Sequence, residues 1–152
     1  MRLTYEEIME AVRLHNLYLL GDPQGKRAEL KNADLYSANL MNVNLSKVDF
    51  ECVNLKRSLL CNTNFEGANL NGAFFKRAIL QGANLKNASM QNANLKGANL
   101  DEANLQEANL LGADLEDITL QGATFDQDTV WPEGFNPIEA GAINVRIDPQ
   151  KK

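Results

Sequence analysis

A bulky apolar side chain returns at every fifth position for one hundred residues, from Leu30, Leu35 and Leu40 to Leu115, Leu120 and Phe125. Of these twenty positions, fifteen are Leu, four are Phe (Phe50, Phe65, Phe75, Phe125) and one is Met90. Two residues before each lies a mostly small side chain, Ala in fourteen of twenty cases, so both positions face an interior. An α-helix does not accommodate this period. Five residues advance the chain about 500° around a helix of 3.6 residues per turn, which spreads the leucines over every face. A flat strand fails as well, because five is odd and alternation sends successive leucines to opposite sides.

A short extended stretch with the small and bulky residues on one side, followed by a corner, does satisfy the period. Four such corners close a coil of about twenty residues, so the twenty units predict about five coils. The corner chemistry agrees. Asn or Asp immediately precedes the bulky residue in thirteen of twenty units, and Gly67, Gly72, Gly82, Gly97, Gly112 and Gly122 lie two places after it. Glycine adopts a positive φ without steric cost, and Asn and Asp favour turns. Coils stacked at the strand spacing of roughly 4.8 Å give a solenoid about 24 Å tall, with backbone hydrogen bonds running between coils. Ala leaves the room that Leu or Phe fills in so narrow a cross-section.

The motif Ala-Asn/Asp-Leu appears as Ala38-Asn39-Leu40 and Ala83-Asn84-Leu85, and unbroken from Ala93-Asn94-Leu95 through Ala113-Asp114-Leu115. It resembles the pentapeptide-repeat family over about two thirds of the chain, 100 of 152 residues. The resemblance implies a right-handed quadrilateral β-helix, a handedness that spacing does not supply. The best known members of that family resemble duplex DNA and protect or inhibit type II topoisomerases; most others have no established activity.

A solenoid exposes an unpaired edge at each end unless something covers it. One domain is expected, with an N-terminal helical cap over 1–27, the solenoid over 28–127 and an irregular C-terminal cap and tail over 128–152. Thr4 with Glu7 three residues later reads as a capping box, and Tyr5, Ile8, Val12, His15 and Leu19 fall on one helical stripe. Gly21, Asp22, Pro23 and Gly25 end that helix. After Phe125 the period stops, and Trp131 to Pro137 supplies aromatic bulk with two prolines. Residues 128–145 read as a plug over the last coil, and Asp148 to Lys152 as a loose tail.

Formal net charge is -5 and the pI about 4.9, which argues against a general attraction to nucleic acid or anionic lipid. No apolar run approaches the roughly 20 residues that span a bilayer, and the N-terminus lacks a signal peptide's basic start and apolar centre. Cys52 and Cys61 offer neither zinc spacing nor a disulfide framework, so a reducing, cytoplasmic setting is expected. His15, the only histidine, has no nucleophile or carboxylate placed beside it by the pattern and reads as a packing residue of the helix. Phosphate loops, metal clusters and catalytic triads are missing from the sequence, so catalysis, cofactors and metal ions are not expected.

Departures from the repeat are the informative surface features. Leu59, Phe74 and Ile79 are apolar where Asn or Asp is usual. Leu59 and Ile79 are one coil of twenty apart and stack on the same face, with Phe74 one unit before Ile79 near the adjoining corner, which predicts a compact outward apolar patch. Lys56, Lys76 and Lys96 form one column beside it, and Arg57 and Arg77 the next. Apolar contact flanked by bases suits a protein partner with an acidic rim. Residues 28–97 carry eight Lys/Arg and five Asp/Glu, a net of +3, whereas residues 98–127 carry seven acids and no base, a net of -7. Asp101, Glu102, Glu107, Glu116 and Asp117 thus make an acidic end. Two readings follow. The first is a non-enzymatic interaction or scaffold module that binds an unidentified protein partner or a second copy of itself. The alternative is a DNA-mimicking inhibitor or protector of a type II topoisomerase, although the middle Lys/Arg columns interrupt the continuous negative track that a duplex mimic needs.

Overall fold

The computed structural model describes residues 2–145. Its backbone winds so that the residue before each bulky centre pairs in parallel with the one twenty positions later, from Glu29↔Asp49 to Asn104↔Thr124. Four ladders result, and each circuit consumes four pentapeptides. They run through Glu29, Asp49 and Asn69; through Asp34, Asn54 and Phe74; through Asn39, Leu59 and Ile79; and through Asn44, Asn64 and Asn84. All twenty centres are buried, as are most of the small residues two places earlier. Phe50, Phe65 and Phe75 meet edge to face inside the coil, with centroids 6.3 and 6.4 Å apart. Where the small position is hydroxylic, the hydroxyl turns inward and donates to a carbonyl of the preceding coil, Ser58 to Leu35 at 2.9 Å and Thr63 to Leu40 at 2.8 Å. Burial of these polar groups is thereby compensated.

Each corner is a turn closed by a bond from the next small residue back to the preceding centre, such as Ala33 N–H to the Leu30 carbonyl at 3.1 Å. The residue two places after the centre has a positive φ at every corner from Asn32 to Gly122, six times as Gly and thirteen times as another residue. The backbone therefore imposes the left-handed conformation even on Lys47, Arg57 and Arg77, where a side chain costs roughly 1–2 kcal/mol relative to an ordinary φ. Every Asn or Asp that precedes a centre accepts from the N–H two residues on, as Asn84 does from Lys86 at 3.0 Å. This Asx bond is the local reason for the residue type. Some also ladder from coil to coil, for example Asn84 Nδ2 to Asn64 Oδ1 at 3.2 Å.

The N-terminal helix α1 spans Tyr5–Leu19, and Thr4 and Glu7 form the reciprocal capping box. Ile8, Val12 and His15 are its buried residues. Tyr5, assigned to the packing stripe by its spacing, is instead 60% exposed, because the chain before it departs to pair Arg2 with Asp34. Gly25 folds back so closely on the helix that a Cβ there overlaps the Tyr18 backbone. His15 is fully buried and does more than pack. Its Nδ1 accepts from Ala28 N–H at 3.1 Å and its Nε2 donates to the Ser46 carbonyl at 2.6 Å. In later corners these two duties fall to backbone: the preceding centre's carbonyl accepts from the small residue, and the N–H two places after a centre donates to the coil beyond, as Lys47 does to Glu66. The imidazole replaces both groups where the first coil has no predecessor.

At the other end the ladder continues after the period breaks. Val130 pairs with Asn109, a step of one extra residue, and Thr129 donates to Leu105 as Ser58 does to Leu35. Trp131 then lies edge-on to Phe125 at 5.5 Å and stacked on Phe135 at 5.3 Å. The chain returns so that β2 (Ile143–Asn144) pairs in parallel with β1 (Thr124–Phe125). The expected loose tail at Asp148 to Lys152 lies outside the described residues.

Candidate interaction surface

Leu59, Phe74 and Ile79 are 37%, 40% and 37% exposed, so none is hidden by folding against a neighbouring corner. Leu59 and Ile79 are direct bridge partners, whereas Phe74 belongs to the adjacent ladder, between Asn54 and Asn94. The apolar residues therefore occupy two faces rather than one continuous patch. Between them runs the corner that carries the cations. Arg57 N–H donates to the Lys76 carbonyl at 3.1 Å, and Arg77 N–H to the Lys96 carbonyl at 3.0 Å, which fixes the basic residues one above another. Lys56 Nζ sits 5.1 Å from the centre of the Phe74 ring, an attraction of cation to aromatic face.

Tyr36, Lys56, Arg57, Lys76 and Arg77 enclose a shallow hollow of about 170 Å³ at this corner. Among the described residues no carboxylate pairs with any of those four cations. Three other bases are ion-paired, Arg13 to Glu10 at 2.8 Å, Lys31 to Glu51 at 3.0 Å and to Asp49 at 3.5 Å, and Lys96 to Glu116 at 3.1 Å. Arg2, Lys26, Arg27, Lys47 and Lys86 likewise have no carboxylate partner among the described residues. The hydrogen bond to Glu116, reinforced by its charge, raises the Lys96 ammonium above the ordinary lysine range; Glu51 acts likewise on Lys31.

The acidic candidates are divided. Glu116 and Asp117 continue the basic corner one coil beyond Lys96, Asp101 and Glu102 occupy the next corner, and Glu107 the one after that. Two already have partners, since Glu116 holds Lys96 and Asp101 Oδ1 accepts from Gln121 N–H at 2.9 Å. They mark one end of the solenoid but form no single track along it.

The sequence could not reveal how the unusual positions differ in their bonding. Seven residues before a centre are neither Asn nor Asp. At Ser89, Thr119 and Thr124 the turn N–H that an Asx residue would accept is taken by another side chain: Gln91 N–H by Asn71, Gln121 N–H by Asp101 and Asp126 N–H by Thr129. After Leu59, Phe74 and Ile79 the corresponding groups, on Cys61, Lys76 and Gln81, have no acceptor among the described residues. The same holds for Lys31 after Glu29, in the first strand of the solenoid.

A larger hollow of about 600 Å³ between α1 and the first coil mixes Glu6, Glu7 and Glu10 with Lys26 and Arg27, and holds none of the residues selected from sequence. Cys52 and Cys61 are free, half-buried thiols on different corners. Among the described residues no His/Cys/Asp/Glu group has the arrangement of a metal site, and no helix is long and apolar enough to cross a membrane.

The family profile described as pentapeptide repeats matches in eight copies, over residues 26–61, 60–97 and 98–127. Among solved structures, the chain is similar to the pentapeptide repeat protein Rfr23 of the cyanobacterium Cyanothece 51142, with 38% identity, 70% of this chain and 66% of that chain covered, and a TM-score of 0.55. It is also similar to alr5209, a pentapeptide repeat protein of Nostoc Pcc 7120, with 30% identity, 88% and 93% coverage, and a TM-score of 0.45. The plasmid-mediated fluoroquinolone resistance protein QnrB1 shares 20% identity over 79% of this chain and 83% of its own, with a TM-score of 0.41. No curated protein matches.

Proposed function

Since the chain belongs to the pentapeptide-repeat family, we propose that it is a non-enzymatic interaction module whose contact surface is the basic corner with its two apolar flanks. One observation carries this reading. Leu59, Phe74 and Ile79 forgo a turn hydrogen bond without becoming buried, so local stability does not account for them. A net hydrogen bond is worth about 0.5–1.5 kcal/mol, and at positions 89, 119 and 124 the fold finds a substitute acceptor, while only Glu29, beside the N-terminal cap, shares the lack among the described residues. Exposed apolar groups, one of them aromatic, beside Arg57 and Arg77 match the enrichment of aromatic residues and Arg at protein interfaces. Cys52 and Cys61, on different corners, form no disulfide with each other, which suits a cytoplasmic setting.

A photo-crosslinking residue placed at Ile79 in cells tests the surface, with Asn104, on the ladder of Asn44, Asn64 and Asn84, as the control position. The reading expects a specific adduct from position 79 and none from position 104; equal yields from both end it. Light scattering after size exclusion then sorts the partner. A dimeric wild type with a monomeric Ile79→Asp variant identifies a second copy, and monomers in both identify a foreign protein. The topoisomerase alternative is tested by gyrase supercoiling: no effect at about micromolar protein, a concentration at which specific protein complexes form, removes it. Its acidic residues occupy three corners, which supports it less than the corner surface is supported.

A further inference from the structure

Resting on that interaction reading, we propose that the hollow formed by residues 56–57 and 76–77 with Tyr36 is an oxyanion pocket for a phosphorylated side chain of the partner. The first ground is charge. Lys56, Arg57, Lys76 and Arg77 line one concavity and have no carboxylate partner among the described residues, in a protein whose net charge is -5. The second is shape. About 170 Å³ holds roughly five or six waters at liquid density, room for one tetrahedral anion and its hydration but not for a folded element. A row of carboxylates on an acidic segment calls for cations strung along a line. Cations gathered round one hollow call instead for a single group of higher charge.

A phosphate monoester has nearly two negative charges at neutral pH and three strong acceptor oxygens, whereas a carboxylate has one charge and two oxygens. It therefore engages two guanidinium forks and an ammonium together. The backbone bonds from Arg57 to Lys76 and from Arg77 to Lys96 hold the two arginines one coil apart before any ligand arrives. Lys56 is steadied against the Phe74 ring, which lies beside the hollow rather than in its lining. Leu59 and Ile79 flank the other side, exposed and paired across their ladder. An extended peptide crossing this corner sets its phosphate over the arginines and apolar neighbours on the flanks. Free phosphate gains nothing from those flanks, so they favour a peptide as the source.

The test uses the full chain, isotopically labelled, with the side-chain Nε–H resonances of Arg57 and Arg77 followed by NMR at constant ionic strength. The probes are inorganic phosphate and a short peptide with one phosphoserine between two leucines, together with its serine and glutamate counterparts. Saturable shifts at both arginines are expected with phosphate. The phosphopeptide should bind at least about tenfold tighter than the glutamate peptide, given the stronger multidentate pairing of phosphate. Arg57→Gly and Arg77→Gly suit the positive φ at those corners, so they should abolish the shifts while leaving the melting transition in place. Ile79→Asn should remove the advantage of phosphopeptide over free phosphate.

No saturable shift with phosphate or phosphopeptide overturns the pocket. Equal binding of glutamate and phosphoserine peptides overturns the phosphate assignment, as does equal binding of free phosphate and phosphopeptide. Tighter binding to phosphatidylserine vesicles than to the phosphopeptide overturns the choice of a protein partner. A crosslink at position 79 that survives any of the first three results leaves the interaction reading standing without the phosphate.

Discussion

Replacing His15 by Phe preserves an aromatic ring of similar size in the N-terminal helix while deleting both of its hydrogen bonds. In the wild type a backbone N–H must be the donor to Nδ1, so the proton of the neutral ring resides on Nε2, facing the Ser46 carbonyl. The variant leaves the Ala28 N–H and the Ser46 C=O facing a hydrocarbon ring. Each group buried without a partner costs about 1–3 kcal/mol, so the loss should fall at about 2–6 kcal/mol. The ring adds apolar contact with Ile8 and Val12, which offsets part of this. Three to four kcal/mol is the centre of the expected range, roughly a third of the 5–15 kcal/mol typical of a domain.

Chemical denaturation gives the total. Hydrogen exchange shows where it is spent: Ala28 and the first coil should exchange faster, while amides near Leu85 and Leu100, several coils away, should change far less. His15→Gln supplies an amide donor and an amide acceptor on one flexible side chain, so its stability should lie between Phe and wild type. A loss under about 1 kcal/mol for Phe, or a glutamine no better than Phe, would refute the idea that the imidazole stands in for two missing backbone groups.

Within the solenoid, Leu85→Ala should cost about 2–5 kcal/mol in a denaturant melt, because coils above and below cannot collapse into the gap; a cost under 1 kcal/mol contradicts its burial. Ala93→Asp places a carboxylate among fully buried neighbours and should prevent folding, read as loss of the cooperative transition and of soluble yield. Gly82→Ala should lose about 1 kcal/mol or more, since φ is +70° and the new Cβ meets the Asn62 amide; unchanged stability would show that this corner relaxes.

The period itself was legible because every centre performs the same act, filling a coil, and one residue type performs it best. Asn and Asp were legible as turn formers through their local bond to the N–H two residues on, but their ladders across coils emerge only when coils stack. His15 was legible as buried and not as a cap, since its partners Ala28 and Ser46 are 13 and 31 residues away. Tyr5 was misread because a helical stripe records spacing and not where the solenoid ends. The stacking of Leu59 on Ile79 and the place of Phe74 near the adjoining corner were legible from the twenty-residue circuit, whereas the missing turn acceptors beside them were not.

A repeat supplies its own control, which is why its exceptions can be weighed without any relative. Each position has a local duty, and a departure is either compensated nearby or is not. Ser89 is compensated: its neighbour Asn71 accepts from both Ser89 Oγ at 2.6 Å and Gln91 N–H at 2.9 Å. The folded coil alone explains that exception. Leu59, Phe74 and Ile79 have no such explanation, and they flank the corner on which stand four cations with no carboxylate partner among the described residues. Of the four uncompensated positions, Glu29 lies in the first coil beside the N-terminal cap, and the other three, all apolar, fall on two adjoining faces of the middle coils. Around cations that no carboxylate among the described residues neutralises, that grouping is the pattern expected where a second molecule completes the bonding.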